Sequence, residues 1–415
     1  MDHVQILFLE ALHAALKGRQ VDWTSLTTEE YTALMQLAGT QFVLPMVYEA
    51  VYSCPAVRAL PPQITLPYRQ QTMYQVAIQA QKTADFLALY RALAGQGLNP
   101  MVVKGLSCRV LYPNPDSRAS ADEDLLIDPA EFRTYHAALL GCGFSTDRPE
   151  DQLEQGHDTP YRSQEDPLFM IELHRYLFEP DAEAFGGLND YFTDAKDRST
   201  TIELSGVTLR TMGHNDHLFY LVLHAYKHFL HSGFGLRQLC DICMFATHYG
   251  SQLDWVQFSV NLHSLNLYRF VSALFTIGRQ YLGFDPEAAC MPEGWISDHI
   301  DTDHLLQDLL GAGVFGNSSM SRKHSANMTL DAVAAEKTGT KQRGIMKSLF
   351  PSAKELSHRY HYLEKQPWLL PFAWADRIVK YGMETASADA DNSAAESLRI
   401  GRERIELLRE YGIID

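Results

Sequence analysis

The chain has 415 residues, more than a single hydrophobic core usually serves, so two or three domains are expected. Its formal net charge is −16, from 35 Lys+Arg against 51 Asp+Glu, which disfavours nucleic acid and anionic membranes as partners. The N-terminus, MDHVQILFLEALHAALKGRQ, lacks the basic and apolar regions of a signal peptide, and no window approaches the roughly 18 to 20 apolar residues of a membrane span. The expectation is a soluble cytoplasmic protein.

Residues 1–97 read as helical. Ile6, Leu7, Leu9, Leu12 and Leu16 keep helical spacing, and LTTEEYTALMQLAG offers Thr27 or Thr28 as an N-cap with Gly39 as its close. A third helix covers Phe42 to Tyr52. After Pro61-Pro62 a long helix is expected from about Leu66 to Ala94, with Met73, Val76, Ala77, Ala80, Ala84, Leu87 and Tyr90 repeating at three and four residues. That face calls for a substantial packing partner.

Residues 98–212 change character. Pro100 to Val103 reads as a strand, Lys104-Gly105-Leu106-Ser107 as a turn, Ser107 to Leu111 as the start of a helix, and YPNPDSRASA as a loop. If Ala121 to Ile127 is a strand, its period of two puts Asp122 and Asp124 on one face. Asp128-Pro129 then opens a helix ending near Gly141 or Gly143. The polar stretch Ser145 to Asp166 reads as hairpin or loop. Pro167 to His174 is a strand by composition, with Met170, Glu172 and His174 sharing one face. A carboxylate there needs a partner: a metal shared with Asp122 and Asp124 supplies one, and a solvated strand face is the alternative. TIELSGVT resembles a hairpin turned at Ser205-Gly206.

Residues 213–315 read as a helical domain, with helices over about 215–231, 235–249, 254–266 and 267–282. On the first, His217, His224, His228 and His231 share a face that looks towards a cleft, where His174, His224, Lys227 and His228 are candidates to line the wall or touch an acceptor. Arg237 and Asp241 lie near enough in sequence to join them. His224-Ala-Tyr-Lys-His228 has the spacing of a zinc-protease helix but lacks the glutamate after its first histidine, so that chemistry is set aside. Cys240-x-x-Cys243 has no second pair to complete a zinc site and reads as buried thiols. Residues 316–344 are small and polar, the best candidate for a mobile loop or linker. Helical segments fill 345–415: LFPSAKELSHRYHYLEKQ, LLPFAWADRIVKYGM and ESLRIGRERIELLREYG.

Asp122, Asp124 and Glu172 on neighbouring strands are what two-metal phosphoryl chemistry needs. The turn would offer backbone N–H groups and the Ser107 hydroxyl to phosphate oxygens, with Lys104 and Arg118 as cations and Gly105 allowing close approach. The Walker A spacing is absent.

These residues resemble a known family. VVKGLSCRVLYPNPDSRASADEDLLID, IELH at 171–174, LVLHAYKHF and LRQLCDI resemble the bacterial uncharacterised nucleotidyltransferase family of the polymerase-β-like superfamily, as do LFPS and RYHYLEKQPWLLPFAWADR further on, over about 25–380. The resemblance implies an α+β fold in which a small mixed β-sheet core is embedded in helical N- and C-terminal regions. It also implies a magnesium-dependent transfer of NMP from an NTP, ATP by default, to an unidentified small-molecule, peptide or protein acceptor with release of pyrophosphate. Gly105 and Ser107 would meet the triphosphate; Asp122, Asp124 and Glu172 would hold two magnesium ions, with manganese as the alternative; Glu172 would also accept the acceptor's proton. A degenerate fold that binds nucleotide without chemistry, or an antitoxin-like or assembly module, are the alternatives. Two residues depart from the superfamily pattern. The turn is Gly-Leu-Ser, and Glu123 stands between the aspartates where an apolar residue is usual, so Glu123 is expected at an edge or beside a compensating cation.

Overall fold

The computed structural model describes residues 1–296, 300–312, 320–338, 362–376 and 394–415, together with Ala353, Leu356 and Tyr360. At its centre is a mixed sheet of β1 (Met101–Val103), β2 (Glu123–Leu126), β3 (Phe144–Ser145), β4 (Asp158–Ser163), β5 (Met170–His174), β6 (Thr200–Leu204) and β7 (Val207–Thr211), ordered β3-β4-β5-β2-β1-β7-β6. The fold is α+β, with helices before and after the sheet.

Every residue of β1 is buried, as suits an apolar strand covered on both faces. It runs antiparallel to β2, and β2 runs parallel to β5, so Asp124 lies opposite Val103 on one side and Glu172 on the other. One face of the sheet carries Val102, Leu125, Ile171, Leu173 and Leu209. These pack with Phe86 and Tyr90 of α5 (Pro62–Ala94) and with Phe132 and Leu139 of α7 (Phe132–Gly141). Each such side chain contributes roughly 1.5–3 kcal/mol when fully buried. Met101, Val103 and Leu126, on the opposite face, join a larger core built on α1 (His3–Leu16), α2 (Thr28–Thr40), α3 (Leu44–Val51), α8 (His214–Leu230), α9 (Leu236–Tyr249) and α11 (Tyr268–Tyr281). The polar stretch after α7 supplies β4, which pairs antiparallel with β5 and brings Asp158 opposite His174.

Local signals explain several boundaries. Asp2 and Thr27 close capping boxes with Gln5 and Glu30, settling the start of α2 on Thr27. Asp128 caps the 3-10 turn at Pro129 that leads into α7. Strand β2 begins one residue after Asp122, so that side chain sits at the strand's mouth.

Two expectations need correction. The first half of α5 does not bury its apolar stripe: Met73 is 60% exposed, while Thr72, Gln79 and Lys82 are buried. The cause is the loop before β2. Gln79 accepts the Ser120 N–H at 2.8 Å, and the Lys82 ammonium donates to the Ser120 and Ala121 carbonyls at 3.3 and 3.1 Å. Backbone groups buried in that loop need partners, and this requirement turns the helix.

The second concerns 316–344. Met320–Thr338 is a helix, α13, that packs on the C-terminal helix Ala394–Glu410, in place of the expected loop. Its buried residues include Ser325, Ala326, Thr329, Ala332 and Val333, side chains too small and too polar to give an apolar rhythm. A Cβ on Gly401 would meet the Met328 sulfur at 2.5 Å, so the helices approach where one carries no side chain. Residues 316–319 and 339–344 lie outside the described residues, as does most of LFPSAKELSHRYHY.

Candidate active site

The turn between β1 and β2 is built by a buried polar cluster behind the sheet. Lys104 ends β1 with φ +52°, a region that non-glycine residues rarely adopt, and Gly105 follows at φ +29°. The strained backbone is tied down. The Lys104 N–H donates to His217 Nε2 at 3.2 Å, which leaves the ring proton on Nδ1, facing the Thr211 hydroxyl. From the other side, the Glu123 carboxylate accepts the Leu106 N–H at 2.9 Å and the Ser120 hydroxyl at 3.0 Å, and pairs with Arg109. A Cβ on Gly105 would collide with Glu123 Oε2, which explains glycine there independently of any ligand. The compensating cation expected for Glu123 is therefore Arg109, itself held by Thr83 at 2.6 Å.

This arrangement alters the anticipated phosphate turn. Leu106 N–H is taken by Glu123, and the Ser107 hydroxyl donates back to the Lys104 carbonyl at 2.6 Å with His217 Nε2 at 3.3 Å. The helix after the turn, α6 (Gly105–Arg109), is only five residues long, so its dipole is short.

In front of the sheet a cavity of about 300 Å³ is lined by Lys104, Gly105, Arg118, Asp122, Asp124, Glu172, His174, His224, Lys227 and His228, which the sequence singled out, and also by residues it did not select, including His157, Asp158 and Tyr220. Ser107 is absent from that lining. Asp124 Oδ1 receives the Lys104 ammonium at 2.8 Å and His174 Nε2 at 2.7 Å, and His174 Nε2 lies 3.4 Å from Glu172. Donor atoms of Asp124, Glu172 and His174 all lie within 4.8 Å of one another, a set able to hold a cation. His157, Asp158 and His174 form a second such set.

The electrostatics separate the two aspartates. Burial raises the Asp122 carboxyl, and the neighbouring Asp124 and Glu172 charges add to it, pushing it up to about 7. Burial works on Asp124 in the same direction, but Lys104 and His174 more than reverse it and hold that carboxyl well below its usual range. Burial opposes charge on His174 too, yet its hydrogen bonds to Asp124 and Glu172 raise it to about 9. The converging donors that fit a divalent cation are the carboxylates of Asp124 and Glu172 with the His174 ring; Asp122 is not in that set, though the charges of both carboxylates bear on it.

Helix α8 forms the facing wall. His224 Nε2 lies 3.3 Å from the Lys104 ammonium and 3.2 Å from His228 Nε2, and the Lys227 ammonium lies 3.2 Å from His157 Nε2. Burial holds His217 and His228 down to about 3 and His224 well below its ordinary value, so these rings are neutral. His231 is absent from the cavity lining and packs beside Phe185, the ring centroids 5.5 Å apart and the planes tilted by 58°.

Arg118 lines the cavity, but its Nε and Nη2 are engaged by Asp241 of α9, the former at 3.1 Å to Oδ1, where the Tyr112 hydroxyl also donates at 2.7 Å. Arg237 is the less committed cation. It donates to the Ala119 carbonyl at 2.6 Å, its Nε has no partner among the described residues, and burial with nearby Arg118 lowers it to about 10. Asp241 had a legible signal: an acid inside the apolar helix LRQLCDICMF demands a cation. His157 and Asp158 had none, being two polar residues in a polar stretch. Cys240 and Cys243 are buried free thiols.

Comparison with known proteins adds one deciding fact: the family described as "Uncharacterised nucleotidyltransferase" matches residues 27–283. The chain belongs to that family. No curated protein and no solved structure matches it. The matched span of this nucleotidyltransferase-family chain includes α2 to α11 and the whole sheet. It stops short of 380, so the C-terminal segments read as similar lie beyond it. Among the described residues no helix is long and apolar enough to cross a membrane.

Proposed function

We propose that this cavity binds a nucleoside triphosphate, ATP by default, and transfers its NMP group to a hydroxyl or similar nucleophile, releasing pyrophosphate. The observation that carries this reading is the register of β2 against β5. Asp124 and Glu172 stand side by side on adjacent parallel strands, Asp122 precedes them, and all three line the cavity with the Lys104-Gly105 turn. When bound by Asp122, Asp124 and Glu172, two magnesium ions, or manganese in their place, supply charge neutralisation to the triphosphate and to the leaving pyrophosphate.

The chain's own groups do the rest. Lys104, Lys227 and Arg237 line the cavity with cations that orient the phosphates, while Arg118 is held by Asp241. His174 fixes Asp124 through its hydrogen bond, holding one carboxylate oxygen in place. Glu172 is more exposed than Asp124, with 26% of its side chain accessible, and accepts the acceptor's proton.

Calorimetric titration with ATP, with and without magnesium, tests the reading: binding should require the metal and vanish in the Asp122→Ala, Asp124→Ala double variant. One observation favours a second reading, a nucleotide binder without chemistry. Lys104 already neutralises Asp124 at 2.8 Å. That reading predicts ATP binding indifferent to magnesium and to both substitutions, and no labelled pyrophosphate from any class of acceptor.

A further inference from the structure

Outside this cavity the chain carries a groove of about 1020 Å³, formed where α5 passes the end of α1, α3 and the loop around Ser117. Among the described residues, three independent features of its lining remain without protein partners. The first is the apolar stripe of α5. Leu66, Met73, Val76, Ala77 and Ala80 recur at helical spacing and line the groove, with Leu66 45% and Met73 60% exposed. A stripe of that period normally lies against another surface.

The second feature is charge. Arg19, Arg58 and Arg69 line the groove, and none forms an ion pair among the described residues. The carboxylate sharing the lining, Glu49, accepts a hydrogen bond from Asn114. Three unpaired arginines around one groove run against a chain whose formal net charge is −16. The third is a pair of hydroxyls. Thr72 and Ser117 are 5% and 1% exposed, both line the groove, and neither side-chain oxygen has a hydrogen-bond partner among the described residues. Buried polar atoms are rarely left so.

Unpaired guanidinium groups and unsatisfied hydroxyl donors specify the same ligand feature, an oxyanion; the apolar stripe specifies an apolar body attached to it. The volume is at the upper end of what small-molecule sites enclose. We propose that this groove is a binding site for a small anionic amphiphile, with a carboxylate or phosphate head met by the arginines and an apolar tail along α5. The site is separate from the carboxylate cavity. Tyr112, in the groove lining, hydrogen-bonds Asp241, in the cavity lining, so the two share a wall but no lining residue.

Displacement of the fluorescent anion 1-anilinonaphthalene-8-sulfonate from the full chain, by dodecanoate, dodecyl phosphate and dodecanol, tests the proposal. One anion should bind with one-to-one stoichiometry, at least tenfold more tightly than dodecanol. Arg19→Glu with Arg69→Glu should weaken it at least tenfold; both arginines are exposed, so the fold should survive, which circular dichroism checks. Thr72→Val with Ser117→Ala should weaken the head-group preference while leaving dodecanol unchanged. The Asp122→Ala, Asp124→Ala variant should bind the anion as the parent does, keeping this test independent of the nucleotide reading. Equal affinity for dodecanol, binding indifferent to the arginine substitutions, or no displacement at all overturns the proposal.

Discussion

Asp122, Glu123 and Asp124 are consecutive acids, yet they live in opposite circumstances because a strand sends neighbours to opposite faces. Glu123 points behind the sheet and is met by Arg109, the Leu106 N–H and the Ser120 hydroxyl. Asp122 and Asp124 point forward into a cavity shared with Glu172, where Asp122 is driven up to about 7. A buried acid with every oxygen answered is structural. Acids crowded in a cavity with few answering charges cost the fold free energy, which marks them as a candidate binding site.

The comparison breaks most sharply at Asp122, the acid raised to about 7 by burial and by its neighbours Asp124 and Glu172. Asp122→Asn should cut nucleotidyl transfer by at least a thousandfold, about 4 kcal/mol of transition-state stabilisation, while the chain unfolds at a similar or higher denaturant concentration. A stability loss that tracks the activity loss would move Asp122 into the structural class with Glu123.

Glu123→Ala should do the reverse. It leaves Arg109 buried without its counter-ion and Leu106 N–H without an acceptor, so a loss of about 3 kcal/mol in unfolding free energy is expected from denaturant titration. Any activity lost should follow the folded fraction. Gly105→Ala is milder and more local. The new methyl must displace Glu123 Oε2 and hold a positive φ, about 2 kcal/mol by the same measurement, with ATP affinity falling because the turn moves.

Much of the site was legible because it rests on local rules. The strand period put Asp122 with Asp124 and Glu172 with His174, and the isolated acid between the aspartates called for a cation, found in Arg109. What was not legible depended on long-range pairing. Gln79 and Lys82 turn α5 because a loop some 40 residues later needs its backbone satisfied, and nothing in the helix's own pattern says so. Arg118 reads as a phosphate ligand until Asp241, 123 residues on, is found to hold it. α13 hid for a different reason: its described buried positions are serine, threonine and alanine with a single valine, Val333, which carry no apolar rhythm.

The smallest expected effect isolates the link between the two faces, His217. It is buried, and that burial holds it down to about 3, so the ring that accepts the Lys104 N–H is neutral. A group whose folded value is depressed lends stability that is complete above its unfolded value of about 6.5 and is lost as pH falls towards 3. Between pH 7.5 and 5.5 its share of the loss should be about 1 kcal/mol. Neighbouring His224, His228 and His231 are depressed in the same direction, so the parent chain alone cannot apportion the slope. His217→Gln keeps an acceptor for the Lys104 N–H but cannot titrate. Urea titrations of both chains at the two pH values should therefore differ by that amount. An identical pH dependence would mean that His217 is as protonated when folded as when unfolded, and that the turn beneath the aspartates is held by Glu123 from behind rather than from both sides.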